Sequence, residues 1–340
     1  LSFQLRTSAW IFFLIPLAWI ILWMRSGDYR KRTFYRHFYT ARAFELIVFG
    51  WQLLGKNGSF IVTRFLGLGY AITHPNTIKA IRSNLALLDE KNGGFLQACR
   101  LIIYHAECFS VYGQLASAHT GNVMNLVGEK TGFEHLQSVQ ARGQGCMLVT
   151  GHLGFFELGG LVMAEMGFPV TALTLPEPTN ELTAWRADFR AKWGVKTIVI
   201  GNDTFSVVNI VRALNEGAYI ATLIDRPYDG AGVEVSLPNG KILFSTAPVV
   251  TSLLAKCPII PVGVVRQSNG KFAIHAFPPI EPRWLDSGRQ ETIEHFTREI
   301  AASLLTLFKE APEQWYHFSQ LRIPETTESP VSSPPIFSNQ

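Results

Sequence analysis

Residues 146–166 read CMLVTGHLGFFELGGLVMAEM. The first five, CMLVT, form an unbroken apolar run of strand length. A strand without polar alternation is one buried on both faces, as in parallel sheets covered by helices. Gly151-His152-Leu153-Gly154 then breaks the run, and a helix is expected over 155–166. Strand, glycine-bounded turn and helix make up the opening unit of an α/β fold.

The alternation continues toward the C-terminus. Runs at 170–175, 195–200, 219–224, 233–237, 259–265 and 272–276 predict strands, and 183–193, 205–215, 247–256 and 291–310 predict helices. The expected fold class is α/β, a mostly parallel central sheet with helices on both faces. Upstream, residues 41–135 read as largely helical. The stretch 44–54 is amphipathic, Pro75 suits a helix entry, and 95–117 repeats apolar groups at helical spacing. Residues 325–340, rich in Ser, Pro and Thr, predict a disordered tail.

At the N-terminus, residues 9–24 (AWIFFLIPLAWIILWM) are uninterrupted in apolarity and carry three tryptophans. The run is short of the roughly 20 residues a spanning helix needs. Arg25, Arg30, Lys31, Arg32 and Arg36 follow it, which favours a cytoplasmic flank. A membrane anchor, spanning or half-inserted, is the expectation. A cleaved signal peptide fits less well, because the basic cluster follows the apolar run and no A-x-A site appears. A buried helix is the third reading. The division expected is 1–45 anchor and basic–aromatic juxtamembrane segment, 46–324 main domain, and 325–340 tail.

Composition suggests extra buried surface or surface facing lipid. The 340 residues are 47% hydrophobic and only 16% charged, against about 25% charged in ordinary chains. A net charge of +4 is too weak to argue nucleic acid and suits anionic headgroups or an acidic carrier. Cys99, Cys108, Cys146 and Cys257 lack CxxC spacing, so neither a zinc nor a disulfide framework is expected.

Ligands in open α/β sheets bind beyond the carboxyl ends of strands, which is where His152 stands. Glu157 follows five positions later. On one helix that spacing would set the two side chains about 140° apart. They meet only with His152 in the loop and Glu157 in the first helical turn, and Gly151 and Gly154 give the loop that freedom. A neutral imidazole so placed can take a proton from an attacking hydroxyl, and a carboxylate on its other nitrogen fixes the tautomer. Backbone N–H groups at the helix start can bind a phosphate or an oxyanion. Asp225 closes an apolar run, and it either serves the site or pairs with Arg226. Arg190 lies on an amphipathic helix, where a surface residue is one reading. Asp225 and Asp229 alone, with no third ligand near, predict no metal. The other eight histidines, His317 among them, read as structural or solvated.

The segment around His152 resembles the HX4D/E motif of the lysophospholipid acyltransferase superfamily. The nearest branch is the bacterial lipid A biosynthesis acyltransferases, the late lauroyl and myristoyl transferases, with the mycobacterial phosphatidylinositol mannoside acyltransferase related. Arg82-Ser83-Asn84-Leu85 is similar to the family's R-x-N-L segment. Asp225-Arg226 with Gly232-Val233-Glu234-Val235 resembles its D…GVxV block. Thr246-Ala247-Pro248 with 258–262 resembles a later block, and Pro312-Glu313-Gln314-Trp315-Tyr316 its P-E-Q-W stretch. The similarity runs over about residues 81–318. Ser236-Leu237-Pro238-Asn239-Gly240 stands where the family has a phenylalanine-rich stretch, and His317-Phe318-Ser319 replaces an arginine-rich ending. The segment 31–80 is also longer than in the standard lipid A enzymes.

The resemblance implies a lysophospholipid-acyltransferase-like fold. It implies transfer of a fatty-acyl chain from an acyl carrier protein or coenzyme A thioester to a hydroxyl of a lipid A precursor. Other acceptors are a lysophospholipid, a phosphatidylinositol mannoside or an aryl-polyene-type lipid. His152 is then the general base and Glu157 its partner, with Glu234 the rival matched to a glutamate assigned that role in the mannoside branch. Arg190 matches an arginine thought to bind phosphate. Arg190, Asp225, Arg226, Glu234, Gly151 and Gly154 form the expected substrate side. No cofactor beyond the thioester co-substrate is implied. The implied location is the bacterial inner membrane, with the catalytic domain facing the cytoplasm. A lipid hydrolase is disfavoured because no G-x-S-x-G elbow occurs. A membrane glycosyltransferase wants a D-x-D site or a nucleotide loop, and neither is evident.

Overall fold

The computed structural model describes residues 40–118, 123–201, 205–227 and 232–321. The apolar run 9–24, most of the expected juxtamembrane segment and the tail 325–340 lie outside the described residues. Among the described residues, no helix is long and apolar enough to cross a membrane.

Three helices come first: α1 (Ala41–Thr73), α2 (Pro75–Leu88) and α3 (Phe95–Ser117). α1 bends at Gly55, where φ is 65°. It packs along α3 through small side chains, with Ser59 and Ser110 hydroxyls 2.9 Å apart. Buried Glu107 on α3 pairs with both Arg64 on α1 and Arg266 of the sheet. That cluster ties the helical layer to the α/β unit.

The sheet is made of β1 (Val127–Thr131), β2 (Cys146–Thr150), β3 (Val170–Thr174), β4 (Lys196–Val199), β5 (Tyr219–Leu223), β8 (Ile259–Arg266) and β9 (Phe272–Ala276), in the order β1-β9-β8-β2-β5-β3-β4. Only the β8–β9 pairing is antiparallel. On β2, Cys146 and Leu148 enter one core cluster while Met147 and Val149 enter the other. This is why the run is apolar throughout. Against one face lie α4 (Phe133–Ala141), α5 (Phe156–Glu165) and α6 (Asn180–Lys192). Against the other lie α7 (Phe205–Asn215), α8 (Ala247–Ala255) and α9 (Arg289–Glu310).

Two expectations change. Val127–Thr131 falls in a stretch read as helical, yet it is an edge strand beside β9, mostly exposed and polar. The run 233–237 does not join the main sheet. As β6 (Val233–Leu237) it pairs with β7 (Gly240–Phe244) in a separate antiparallel hairpin that turns at Pro238-Asn239. The SLPNG departure noted above is that turn.

Candidate active site

β2 lies in the sheet between β8 and β5. The chain leaves β2 through α5 to β3 and returns later to fill the intervening place with β5. The carboxyl ends of β2 and β5 therefore adjoin, with Thr150 opposite Leu223 and the Ile224 N–H bonded to the Thr150 carbonyl at 3.0 Å. Just beyond these ends stand the Gly151-His152 turn and, after Ile224, Asp225.

Their side chains meet. His152 Nδ1 lies 2.7 Å from Asp225 Oδ1, and the His152 backbone N–H donates to Oδ2 at 2.9 Å. Two further donors reach Oδ2, the Trp315 indole N–H and His317 Nε2, each at 3.0 Å. Asp225 is 1% exposed. An ionised carboxylate accepts only, and four donors converge on it, three on Oδ2 and one on Oδ1. This fixes two tautomers: Nδ1–H on His152 and Nε2–H on His317. Nε2 of His152 is left as the ring's lone-pair nitrogen, on a side chain 26% exposed. Burial alone would push the Asp225 carboxyl up. The charge of His152 when that ring is protonated, and the bonds from His152 and His317, outweigh it and hold the group well below the usual range.

The loop is shaped by close packing. A Cβ on Gly151 would stand 2.4 Å from the Phe308 ring, which stacks on Trp315. Gly154 has φ 55°, and a Cβ there would meet the Val264 carbonyl oxygen at 2.0 Å. Both positions demand glycine. The reason is contact with α9 and β8, not a swing that joins His152 to Glu157.

Glu157 does occupy the first turn of α5, but its carboxylate is engaged by arginines, while His152 Nδ1 is held by Asp225. Glu157 receives Arg190 Nε at 2.5 Å, with Arg186 at 3.6 Å. Arg186 also reaches Glu177 at 2.7 Å and the Tyr112 hydroxyl at 2.9 Å. Burial raises the Glu157 carboxyl, and the Arg190 and Arg186 charges more than reverse this, leaving it lowered. Arg190 is thus a buried partner of Glu157 and not a surface residue. Glu234, the rival, sits on the hairpin and pairs with Lys241 at 2.8 Å. Asp225 takes the place on His152 expected for Glu157 or Glu234. Arg226 reaches His317 Nδ1 at 3.4 Å and the Tyr316 carbonyl.

The C-terminal stretch supplies residues the sequence reading left without a role. Gln314 bonds both backbone groups of Arg266 through its amide and accepts the Gly154 N–H on its carbonyl. The Tyr316 N–H donates to the His152 carbonyl at 2.7 Å. Asn84 of the R-x-N-L segment bonds the carbonyls of His317 and Ser319 and accepts the Leu321 N–H. The P-E-Q-W resemblance was the signal that could have found this clasp.

The family model for bacterial lipid A biosynthesis acyltransferases matches residues 119–321. The chain belongs to this family. The match takes in β1 to β9, His152, Asp225 and the clasp, and it begins beyond α3. No curated protein matches the chain. As a lipid A biosynthesis acyltransferase, the chain departs from the family's arginine-rich ending at His317, one of the four donors on the central carboxylate.

Acid sensitivity follows from the two lowered carboxyls. Groups with depressed folded-state pKa values stabilise the fold above their unfolded values and lose that contribution as pH falls through the folded ones. Urea unfolding should show stability declining from ordinary carboxylate pH downward, more gently in Glu157→Gln. A flat profile between about pH 5 and 3 would contradict the two ion clusters.

Proposed function

We propose that the protein transfers a fatty-acyl chain from an acyl carrier protein or coenzyme A thioester to a hydroxyl of a lipid A precursor, with His152 as general base. The observation that carries this is the His152–Asp225 pair at the carboxyl end of a central strand. With Nδ1–H held by Asp225, Nε2 accepts the proton of the acceptor hydroxyl. The hydroxyl oxygen attacks the thioester carbonyl. The tetrahedral intermediate collapses by expelling the thiolate, which takes the proton from the imidazolium. Asp225 stays ionised and stabilises the imidazolium while it lasts. The N-terminus of α5 has no side-chain cap, which favours it as the donor set for the oxyanion.

The acceptor is a membrane lipid, and one helix face supports work at the inner membrane surface, with the catalytic domain on the cytoplasmic side. Ile61, Phe65, Leu68 and Ile72 of α1 are exposed at helical spacing, and Arg42, Lys56 and Lys79 are exposed on α1 and α2. An exposed apolar stripe on helices that also carry basic side chains suits an anionic interface. To test the reading, purified protein is incubated with a lipid A precursor and either acyl carrier protein or coenzyme A thioesters, and products are read by mass spectrometry. One added acyl chain is expected, with none from His152→Ala. Transfer undiminished in His152→Ala would remove His152 from the chemistry. An unchanged acyl pattern in cells lacking the gene would remove the lipid A acceptor.

A further inference from the structure

The proton transfer above needs His152 and Asp225, and it gives His317 nothing to do. Yet His317 is 2% exposed and sits on the same carboxylate oxygen as the His152 backbone. Its setting is built from three elements. Asn84 on α2 holds its carbonyl, Arg226 after β5 faces its Nδ1, and Trp315 packs on its ring at 4.6 Å between centroids. His105 on α3 lies near without touching the carboxylate. Its ring packs on Tyr316 and Phe318, and burial, with the Arg226 and His152 charges, lowers it to about 4.

We propose that His317 is a positioning residue for acyl transfer: it binds Asp225 as a neutral donor, so that the carboxylate's charge is kept for the imidazolium that forms on His152. The inference rests on His152 being the base. A cation at this place would neutralise Asp225 permanently and weaken its hold on His152. A side chain without a donor would leave Oδ2 with the His152 N–H and the Trp315 indole alone, two of its three donors. Only a neutral donor adds the third bond to this oxygen while leaving its charge uncompensated. The structure enforces neutrality. Protonating Nδ1 would set an N–H against the Arg226 N–H now aimed at it, 3.4 Å away. Burial lowers His317 as well, and Asp225 only partly counters this.

The test compares donor-free with donor-retaining replacements and reads His152 directly. The nine histidines are labelled with carbon-13, and the His152 ring signal is assigned by its loss in His152→Gln. In His317→Phe the carboxylate, with one donor fewer, becomes the stronger partner. The His152 midpoint should then rise by about half a pH unit or more. The acid limb of the acyl-transfer profile should rise with it, so that transfer falls at pH values below the new midpoint. In His317→Gln, whose amide can replace the donor, midpoint and rate should stay near wild type. His317→Leu is the second donor-free variant should the first not fold. A midpoint unmoved in the donor-free variant, or moved equally in His317→Gln, overturns the proposal and leaves His317 a packing residue. If instead transfer survives in His152→Ala, the base reading fails on its own terms, whatever the midpoints do.

Discussion

Asp225→Asn should reduce acyl transfer between about 10²- and 10⁴-fold, the range in which a positioned general base contributes. The side chain keeps its shape, so the loss is one of protonation pattern. Three donors converge on Oδ2, so the asparagine oxygen must face them. Its NH₂ then faces His152 Nδ1. The imidazole responds by carrying its proton on Nε2, the nitrogen that has to accept one. His152→Ala should be as severe, and the double variant hardly worse than either, because the two act as a unit. Transfer assays at saturating thioester, with urea unfolding alongside, check this. An Asp225→Asn enzyme within tenfold of wild type would break the assignment of Asp225 to His152.

Glu157→Ala should instead be read in stability. It strips Arg190, 5% exposed, of its carboxylate and takes one partner from Arg186. Removing one member of a buried ion cluster costs about 3–5 kcal/mol. Replacing Glu157 and Arg190 together by methionine should recover most of it, since the uncompensated charge goes too. Loss of less than about 1 kcal/mol in Glu157→Ala would show the cluster to be better solvated than its burial implies. A variant that unfolds normally yet transfers nothing would return Glu157 to the chemistry.

Much of this was visible in the chain itself. CMLVT named a strand because both of its faces are buried, and His152 was found because a glycine turn follows that strand. The spacing argument also located Glu157 in the first turn of α5. It could not say where the carboxylate points. That depends on Arg190, which α6 delivers 33 residues later. Asp225 lies 73 residues from His152, and strand order alone brings them together. The sequence contains the strands but not the order in which they lie. β1 escaped because an exposed edge strand, VGEKT, has no apolar face to reveal its period. His317 resembled any buried histidine, since its meaning lies in the oxygen it touches.

The clasp from Gln314 to His317 has a consequence in time. Every sheet strand is complete by Ala276, so a nascent chain can own its whole sheet while His152 and Asp225 still lack half the donors that arrange them. The carboxylate receives Trp315 and His317, and the loop its bonds to Gln314 and Tyr316, only when the closing residues arrive. The arrangement around His152 and Asp225 is therefore completed after the sheet. A copy ended before Trp315 would lack both of the clasp side chains that donate to the Asp225 carboxylate.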